Sequence, residues 1–279
     1  MNIGFFYAIA SAIAWGSYLV PFKKSQSSNF TQFQMLMTIG IILFSIVSIP
    51  FLNYSFNVNL FGLISGIMWA SANAISLYGV RDLGLSRFVP ISVSLVIFVS
   101  FLWGAFVFHE LSAGFLTGIV GIVLIIVGVI LIGTIGNTQS ENVKRGIILS
   151  VVAGIIWGSQ LVPLRLGNLT PSDFFFSMSL GIALFGIAYF FHKRESFRNE
   201  AVGNSILSGI LWSIGNLLSI ITVSLIGLAK GFPLTQASVL IAVIWGVFYF
   251  KEITKSSDIR KILIGSVILM AGVVILGLA

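Results

Sequence analysis

The chain has 279 residues, of which 57% are hydrophobic and 8% charged, with a mean hydropathy of +1.08; soluble globular proteins average about 45–50% apolar and about 25% charged. This balance excludes a water-soluble globular domain. The net charge of +7 is not a nucleic-acid footprint, because the basic residues sit in short gaps between apolar runs and not on one folded face. With no cysteine and only two histidines, His109 and His192, neither a disulfide framework nor a Cys or His metal centre is expected, and no cofactor is implied.

A helix needs about 20 apolar residues to cross a hydrocarbon core near 30 Å thick. Ten runs in the chain meet that length: Ile3–Phe22, Thr31–Leu52, Leu60–Val80, Phe88–Phe108, Ser112–Ile132, Gly146–Leu164, Ser172–Phe191, Val202–Leu225, Gly231–Phe250 and Ile262–Ala279. The first run has no Lys or Arg ahead of it, so it reads as a span and not as a signal peptide. The runs are twice as long as a barrel strand and the loops between them are short. An all-α integral membrane protein of ten transmembrane helices is therefore expected, with no soluble domain.

The chain is also written twice. Trp15-Gly16-Ser17 returns as Trp157-Gly158-Ser159, Ser65-Gly66-Ile67-Met68-Trp69 returns as Ser208-Gly209-Ile210-Leu211-Trp212, Pro90 returns as Pro233, and Trp103-Gly104 returns as Trp245-Gly246. Five spans thus repeat once, which predicts a first repeat over 1–134, a connecting loop over 135–145 and a second repeat over 146–279. An odd number of spans per repeat makes the second half cross in the opposite sense, the inverted plan that many secondary transporters use for alternating access.

Loop charge tests this independently, because Lys and Arg in short loops gather on the cytoplasmic side. Lys23 and Lys24, Arg81 and Arg87, Lys144 and Arg145, Lys193, Arg194 and Arg198, and Lys251, Lys255, Arg260 and Lys261 all fall in alternate loops. Only Arg165 and Lys230 fall in the others. The pattern predicts a multi-pass cell-membrane protein with both termini extracytoplasmic.

Polar groups inside a membrane are costly and turn toward the bundle interior or a wet cavity. In the third run Ser65, Trp69, Asn73 and Ser76 share one helical stripe, and the eighth run repeats it as Ser208, Trp212, Asn216 and Ser219. Trp15, Ser17 and Tyr18 in the first run, Trp157, Ser159 and Gln160 in the sixth, and Thr235, Gln236 and Ser238 in the ninth add to it. Indole faces are flat and apolar with one N–H donor, while Asn, Gln, Ser and Tyr donate and accept without charge. A cavity so lined suits a neutral polyhydroxylated solute. The competing reading is that the Asn residues bond neighbouring helices and the Trp residues pack or anchor the interface.

Asp82, Glu110, Glu141, Asp173, Glu195, Glu200, Glu252 and Asp258 all fall at span ends or in loops, so no buried carboxylate is expected, and export of lipophilic cations is disfavoured. The adjacent His109 and Glu110 read as loop chemistry. Gly62/Gly66, Gly114/Gly118 and Gly154/Gly158 have the spacing that permits close helix approach. Pro90 and Pro233 stand near the starts of the fourth and ninth runs, and Pro21 and Pro163 near the ends of the first and sixth, where they read as helix punctuation. Lys23, Arg87, Arg165 and Lys230 are candidates to grip an anion at the cavity mouths, and topology and lipid head groups account for most of them equally well.

Ten spans in two halves, with Gly16-Ser17-Tyr18-Leu19-Val20-Pro21-Phe22-Lys23-Lys24 in the first and Trp157-Gly158-Ser159 opening the second half, resemble the drug/metabolite transporter superfamily, and within it the glucose/ribose uptake and rhamnose transporter branch. The resemblance implies a carrier of a sugar or similar polar metabolite, no enzymatic activity, and proton or other ion coupling as an option, which the lack of intramembrane carboxylates puts in question.

The expectation is a secondary transporter of a small neutral solute, with a monosaccharide favoured, working by alternating access. Trp15, Trp69, Asn73, Trp157, Gln160, Trp212 and Asn216 are its candidate substrate-binding residues. A homodimer is compatible with such a carrier, and the lipid bilayer is its other partner. The alternatives are an exporter of amino acids or related metabolites, an anion or sugar-phosphate exchanger, and, outside the carriers, an intramembrane transferase or a scaffold.

Overall fold

The structure, a computed structural model, describes residues 3–24, 30–83, 85–110, 114–133, 142–194, 196–199, 201–250 and 255–278. Apolar segments without water have to satisfy their own amides, and all of the regular structure among these residues is helical. In chain order it runs α1 (Ile3–Ser17), α2 (Val20–Lys24), α3 (Phe30–Phe51), α4 (Leu60–Leu83), α5 (Leu85–Leu102) passing into a π-helical turn Trp103–Val107, α6 (Phe115–Gly133), α7 (Val143–Ser159), α8 (Val162–Leu166), α9 (Pro171–Lys193), α10 (Val202–Ile226), α11 (Leu228–Thr235), α12 (Ser238–Ile244) passing into a second π-helical turn Trp245–Tyr249, and α13 (Ser256–Leu278). Six stretches, Phe30–Phe51, Phe115–Ile132, Val143–Leu166, Pro171–Lys193, Val202–Ile226 and Ser256–Leu276, are long and apolar enough to cross a membrane.

Three of the expected spans, the first, sixth and ninth, are interrupted, and the sequence says why. Pro21 and Pro163 have no N–H with which to reach the carbonyls of Ser17 and Ser159 one turn earlier. The first span accordingly breaks between α1 and α2, and the sixth between α7 and α8, where Leu161 takes φ −96° and ψ 1°. The ninth breaks after Thr235, where Gln236 N–H donates to the Pro233 carbonyl at 3.1 Å and Ala237 N–H to that of Leu234 at 3.2 Å, a tighter turn than α. This span starts at Leu228 and not at Gly231. Pro233 therefore lies within α11, close to its end, and not at the start of the span, and Pro90 is likewise the sixth residue of α5. In the two π turns, Phe108 N–H reaches the Trp103 carbonyl at 3.1 Å and Phe250 N–H that of Trp245 at 3.0 Å.

Packing closes the helices into a ring. α1 lies on α10, α10 on α3, α3 on α9, α9 on α4, α4 on α7, α7 on α5, α5 on α11, and α11 with α12 back on α1. α6 and α13 pack chiefly on each other and join the ring through α5 and α11. Lipid tails are as apolar as leucine, so helices in a bilayer associate by close van der Waals approach at small residues. A Cβ on Gly40 of α3 would strike the Ile206 carbonyl of α10, and one on Gly209 of α10 would strike the Met37 carbonyl of α3. Gly66 of α4 and Gly181 of α9 meet the carbonyls of Met178 and Leu63 in the same way, and Gly154 and Gly158 seat α7 on α5. Two of the GxxxG spacings thus mark real crossings. The outward faces carry Phe6, Phe51, Leu116 and Val267, each at least two-thirds exposed, which only a lipid surround accommodates.

The start of the expected fifth span at Ser112, most of the connecting loop, and Glu141, Glu195, Glu200 and Glu252 lie outside the described residues, as do the side chains of Arg81, Arg87 and Pro90.

Gly209→Ala is expected to lower the melting temperature of the detergent-purified protein markedly, since overpacking of a tight contact costs about 1–3 kcal/mol. Gly203→Ala, whose Cβ would meet nothing within 4 Å, is expected to leave it unchanged, as read by a thermal-shift assay.

Candidate functional site

Tryptophan dominates the middle of the bundle. Trp69 and Trp212 are buried, with ring centroids 4.1 Å apart, and Trp15 lies nearly parallel to Trp212 at 6.2 Å. The Trp15 indole N–H donates to the Trp212 carbonyl at 3.2 Å, and its ring meets the edge of Phe232 at 6.1 Å. Gly215 makes this approach possible, since a Cβ there would overlap the Trp15 ring. Trp103 and Trp157 pack against the same core cluster. Three of the four candidate tryptophans are thus in ring contact, while Trp157 stands apart from that stack, against Phe88 and Ala153.

The candidate amides divide into two groups. The Asn73 Nδ2 donates to Gln34 Oε1 of α3, so this side chain bonds a neighbouring helix, as the competing reading held. Asn216 is fully buried, with Nδ2 only 3.4 Å from the Met178 sulfur, a weak acceptor, and Oδ1 without a hydrogen-bond partner. Gln160 is buried at the break between α7 and α8. Its backbone carbonyl accepts from Ser65 Oγ, while its side-chain Oε1 has no partner. Trp157 Nε1, Gln34 Nε2 and the hydroxyls of Ser208, Ser213 and Ser219 are likewise buried and unpartnered. A buried polar atom left this way costs about 1–3 kcal/mol, and these atoms are uncharged and of both hydrogen-bonding kinds.

The helix breaks are braced by two further indoles. Trp103 Nε1, in the first π turn, donates to Ser159 Oγ at 3.0 Å, and Trp245 Nε1, in the second, donates to Ser17 Oγ at 2.9 Å. Neither Trp103 nor Trp245 was among the candidate site residues, although their recurrence in the sequence was the available signal.

The expectation of no buried carboxylate is corrected at two helix ends. Asp82, at the foot of α4, is buried and lies 3.3 Å from Arg145 Nε. Glu110 has a side chain only 9% exposed, 2.9 Å from Arg165, and its other oxygen accepts the Ala229 N–H at the start of α11 at 2.8 Å. Gly227, at φ +84°, makes room for that carboxylate, since a Cβ there would stand 2.6 Å from it. Helices from distant parts of the chain, α7 at Asp82 and α8 with α11 at Glu110, meet these groups, and position in the sequence does not show that. Arg165 also stacks on Phe108 at 5.7 Å, so it is matched by a carboxylate and a ring and is not held ready for an anion.

A family model described as sugar transport protein matches residues 6–279. The chain belongs to that family. It is a family of membrane transporters and not of enzymes, which agrees with the resemblance carried by the Gly16–Lys24 string. A "Probable glucose uptake protein GlcU" of Bacillus cereus is 31% identical, with 98% of each chain covered. The "Glucose uptake protein GlcU" of Bacillus subtilis is 27% identical over 98% of this chain and 97% of its own. A solved crystal structure superimposes with a TM-score of 0.79 at 11% identity, over 98% of this chain and 95% of the other, a likeness of fold alone.

Replacing Glu110 by Ala strips the α11 amide of its cap and leaves Arg165 unmatched. Glu110→Ala and Arg165→Ala are each expected to destabilise the protein, and a double-mutant cycle read by thermal unfolding should show coupling of about 0.5–3 kcal/mol. Strict additivity would mean that the pair has no structural weight.

Proposed function

We propose that this member of the sugar transport family carries glucose or a closely related monosaccharide across the cell membrane by alternating access. The observation that carries the reading is the set of buried, unpartnered and uncharged polar atoms of Trp157, Gln160 and Asn216, with Asn216 one helical turn from Trp212 of the tryptophan stack and Gln160 bonded through its carbonyl to Ser65, one turn from Trp69. A sugar supplies hydroxyls that both donate and accept, together with C–H faces that lie on indole rings. A phosphate or a free carboxylate would need a cation there. Arg165, one of the cations the sequence offered for that role, is committed to Glu110.

In this mechanism two inverted halves, 1–134 and 146–279, rock about the central site. The sequence repeat supports it, and so does the matching of helix contacts: α1 on α10 corresponds to α7 on α4, α3 on α10 to α9 on α4, and α12 on α1 to α5 on α7. The paired contacts of Trp103 with Ser159 and Trp245 with Ser17 obey the same correspondence. Broken helices at the site let a short segment swing while its neighbours hold. The Glu110–Arg165 pair ties the loop after the first π turn to α8 and α11, and so seals the end of the bundle remote from most of the basic loops.

Asn216→Ala and Gln160→Ala, shown to be inserted at parental levels, are each expected to lower glucose uptake into proteoliposomes about tenfold, the value of one hydrogen bond of about 1.4 kcal/mol. In the same cysteine-free background, a cysteine placed at either terminus should react with an impermeant maleimide from outside intact cells. Parental uptake by both variants would remove the assigned site, and labelling only after lysis would invert the topology.

A further inference from the structure

We infer that a crevice on the outer face of α4, between α7 and α9, holds one anionic phospholipid. The crevice encloses about 300 Å3 and is lined by Ser71, Ala74 and Tyr78 of α4, Leu149 of α7, and Phe185 and Tyr189 of α9. At 3.6 residues per turn, Ser71, Ala74 and Tyr78 stand about 140–200° around α4 from Trp69. They therefore face away from the tryptophan stack and toward the bilayer, so an occupant enters from the lipid and not along the transport route.

The chemistry changes along the crevice as it does along a phospholipid. Its floor is small and apolar, walled by Leu149 and Phe185. Its mouth lies at the end of α9 and the first turn of α7, where Lys193 and Arg145 project among the loops that hold most of the basic residues. Lys193 Nζ lies 5.1 Å from the Tyr78 ring and 5.4 Å from that of Tyr189, whose hydroxyls are 3.0 Å from each other. Phe185 stacks on Tyr189 with their centroids 6.0 Å apart, which fixes that ring. Among the described residues no carboxylate pairs with this ammonium, which leaves its charge for a phosphate. Arg145 gives one edge of its guanidinium to Asp82, yet its side chain stays 54% exposed and lines the mouth. Basic pockets between helices at the cytoplasmic surface are suited to anionic headgroups.

The test uses the purified full-length protein, delipidated in detergent and titrated with phosphatidylglycerol, phosphatidylcholine of the same acyl chains, or inorganic phosphate, with retention read by native mass spectrometry and stability by thermal shift. Phosphatidylglycerol is expected to bind with about fivefold preference over phosphatidylcholine, and Lys193→Gln to abolish that preference, the scale of one cation at a membrane surface. Lys230→Gln, at the other end of the bundle, is expected to leave it intact. A photoactivatable phosphatidylglycerol should label α4, α7 and α9 of the parent protein, which keeps the proposal open to refutation if Lys193→Gln is poorly folded. Equal binding of the two lipids, an unchanged preference in Lys193→Gln, labelling elsewhere, or stabilisation by inorganic phosphate alone would each overturn it.

Discussion

The structure depends on one constraint: inside a bilayer no water is at hand to satisfy a backbone amide or a buried side chain, so every polar group must be answered from within the bundle. Continuous helix answers nearly all of them. The exceptions carry the interest, because each place where α-helix lapses exposes groups that something else must meet. Pro21 and Pro163 release the carbonyls of Ser17 and Ser159, and at those residues the hydroxyls accept the indoles of Trp245 and Trp103. Those indoles are delivered by π-helical turns, a geometry that often marks functional places in helices. Break and brace thus occur together, once in each half of the chain.

The same constraint explains why the interior is divided between glycine and tryptophan. Where backbones cross, at Gly40 with Gly209 and at Gly66 with Gly181, any side chain would force the helices apart, and dispersion at close range replaces a hydrophobic drive that lipid does not supply. Where helices are held apart, Trp15, Trp69 and Trp212 occupy the space with large flat surfaces. Most of the uncharged polar atoms left unmatched, those of Trp157, Gln160, Ser208, Ser213, Asn216 and Ser219, lie close in sequence to these rings or to the helix breaks. Charged groups are confined to the ends, where Glu110 with Arg165 and Asp82 with Arg145 neutralise one another. The site proposed among these rings would discriminate by charge before it discriminates by shape.

Much of this was legible in the residues. Run length gave the all-helical membrane architecture, and the Gly16–Lys24 string pointed to the family, because each is a local pattern under a strong physical constraint. Contacts between distant segments were not legible. Asn73 and Asn216 occupy equivalent places in the repeat, yet one bonds Gln34 and the other faces a methionine sulfur, a difference set by unlike residues on α3 and α9. Glu110 read as a loop residue because nothing in its neighbourhood announces that the start of α11 and Arg165 converge on it. Pro233 read as standing near the start of the ninth span, yet it lies near the end of α11 with the break two residues beyond it, since proline forbids a bond one turn back and does not itself fix where the chain turns.

The central claim is that a neutral sugar binds among these tryptophans, and intrinsic fluorescence of the purified protein titrated with glucose and with glucose 6-phosphate tests it most directly. A saturable change with glucose, lost in Asn216→Ala and absent with the phosphorylated sugar, is the predicted result. No saturable response to glucose, or a stronger response to the phosphorylated sugar, would contradict the account.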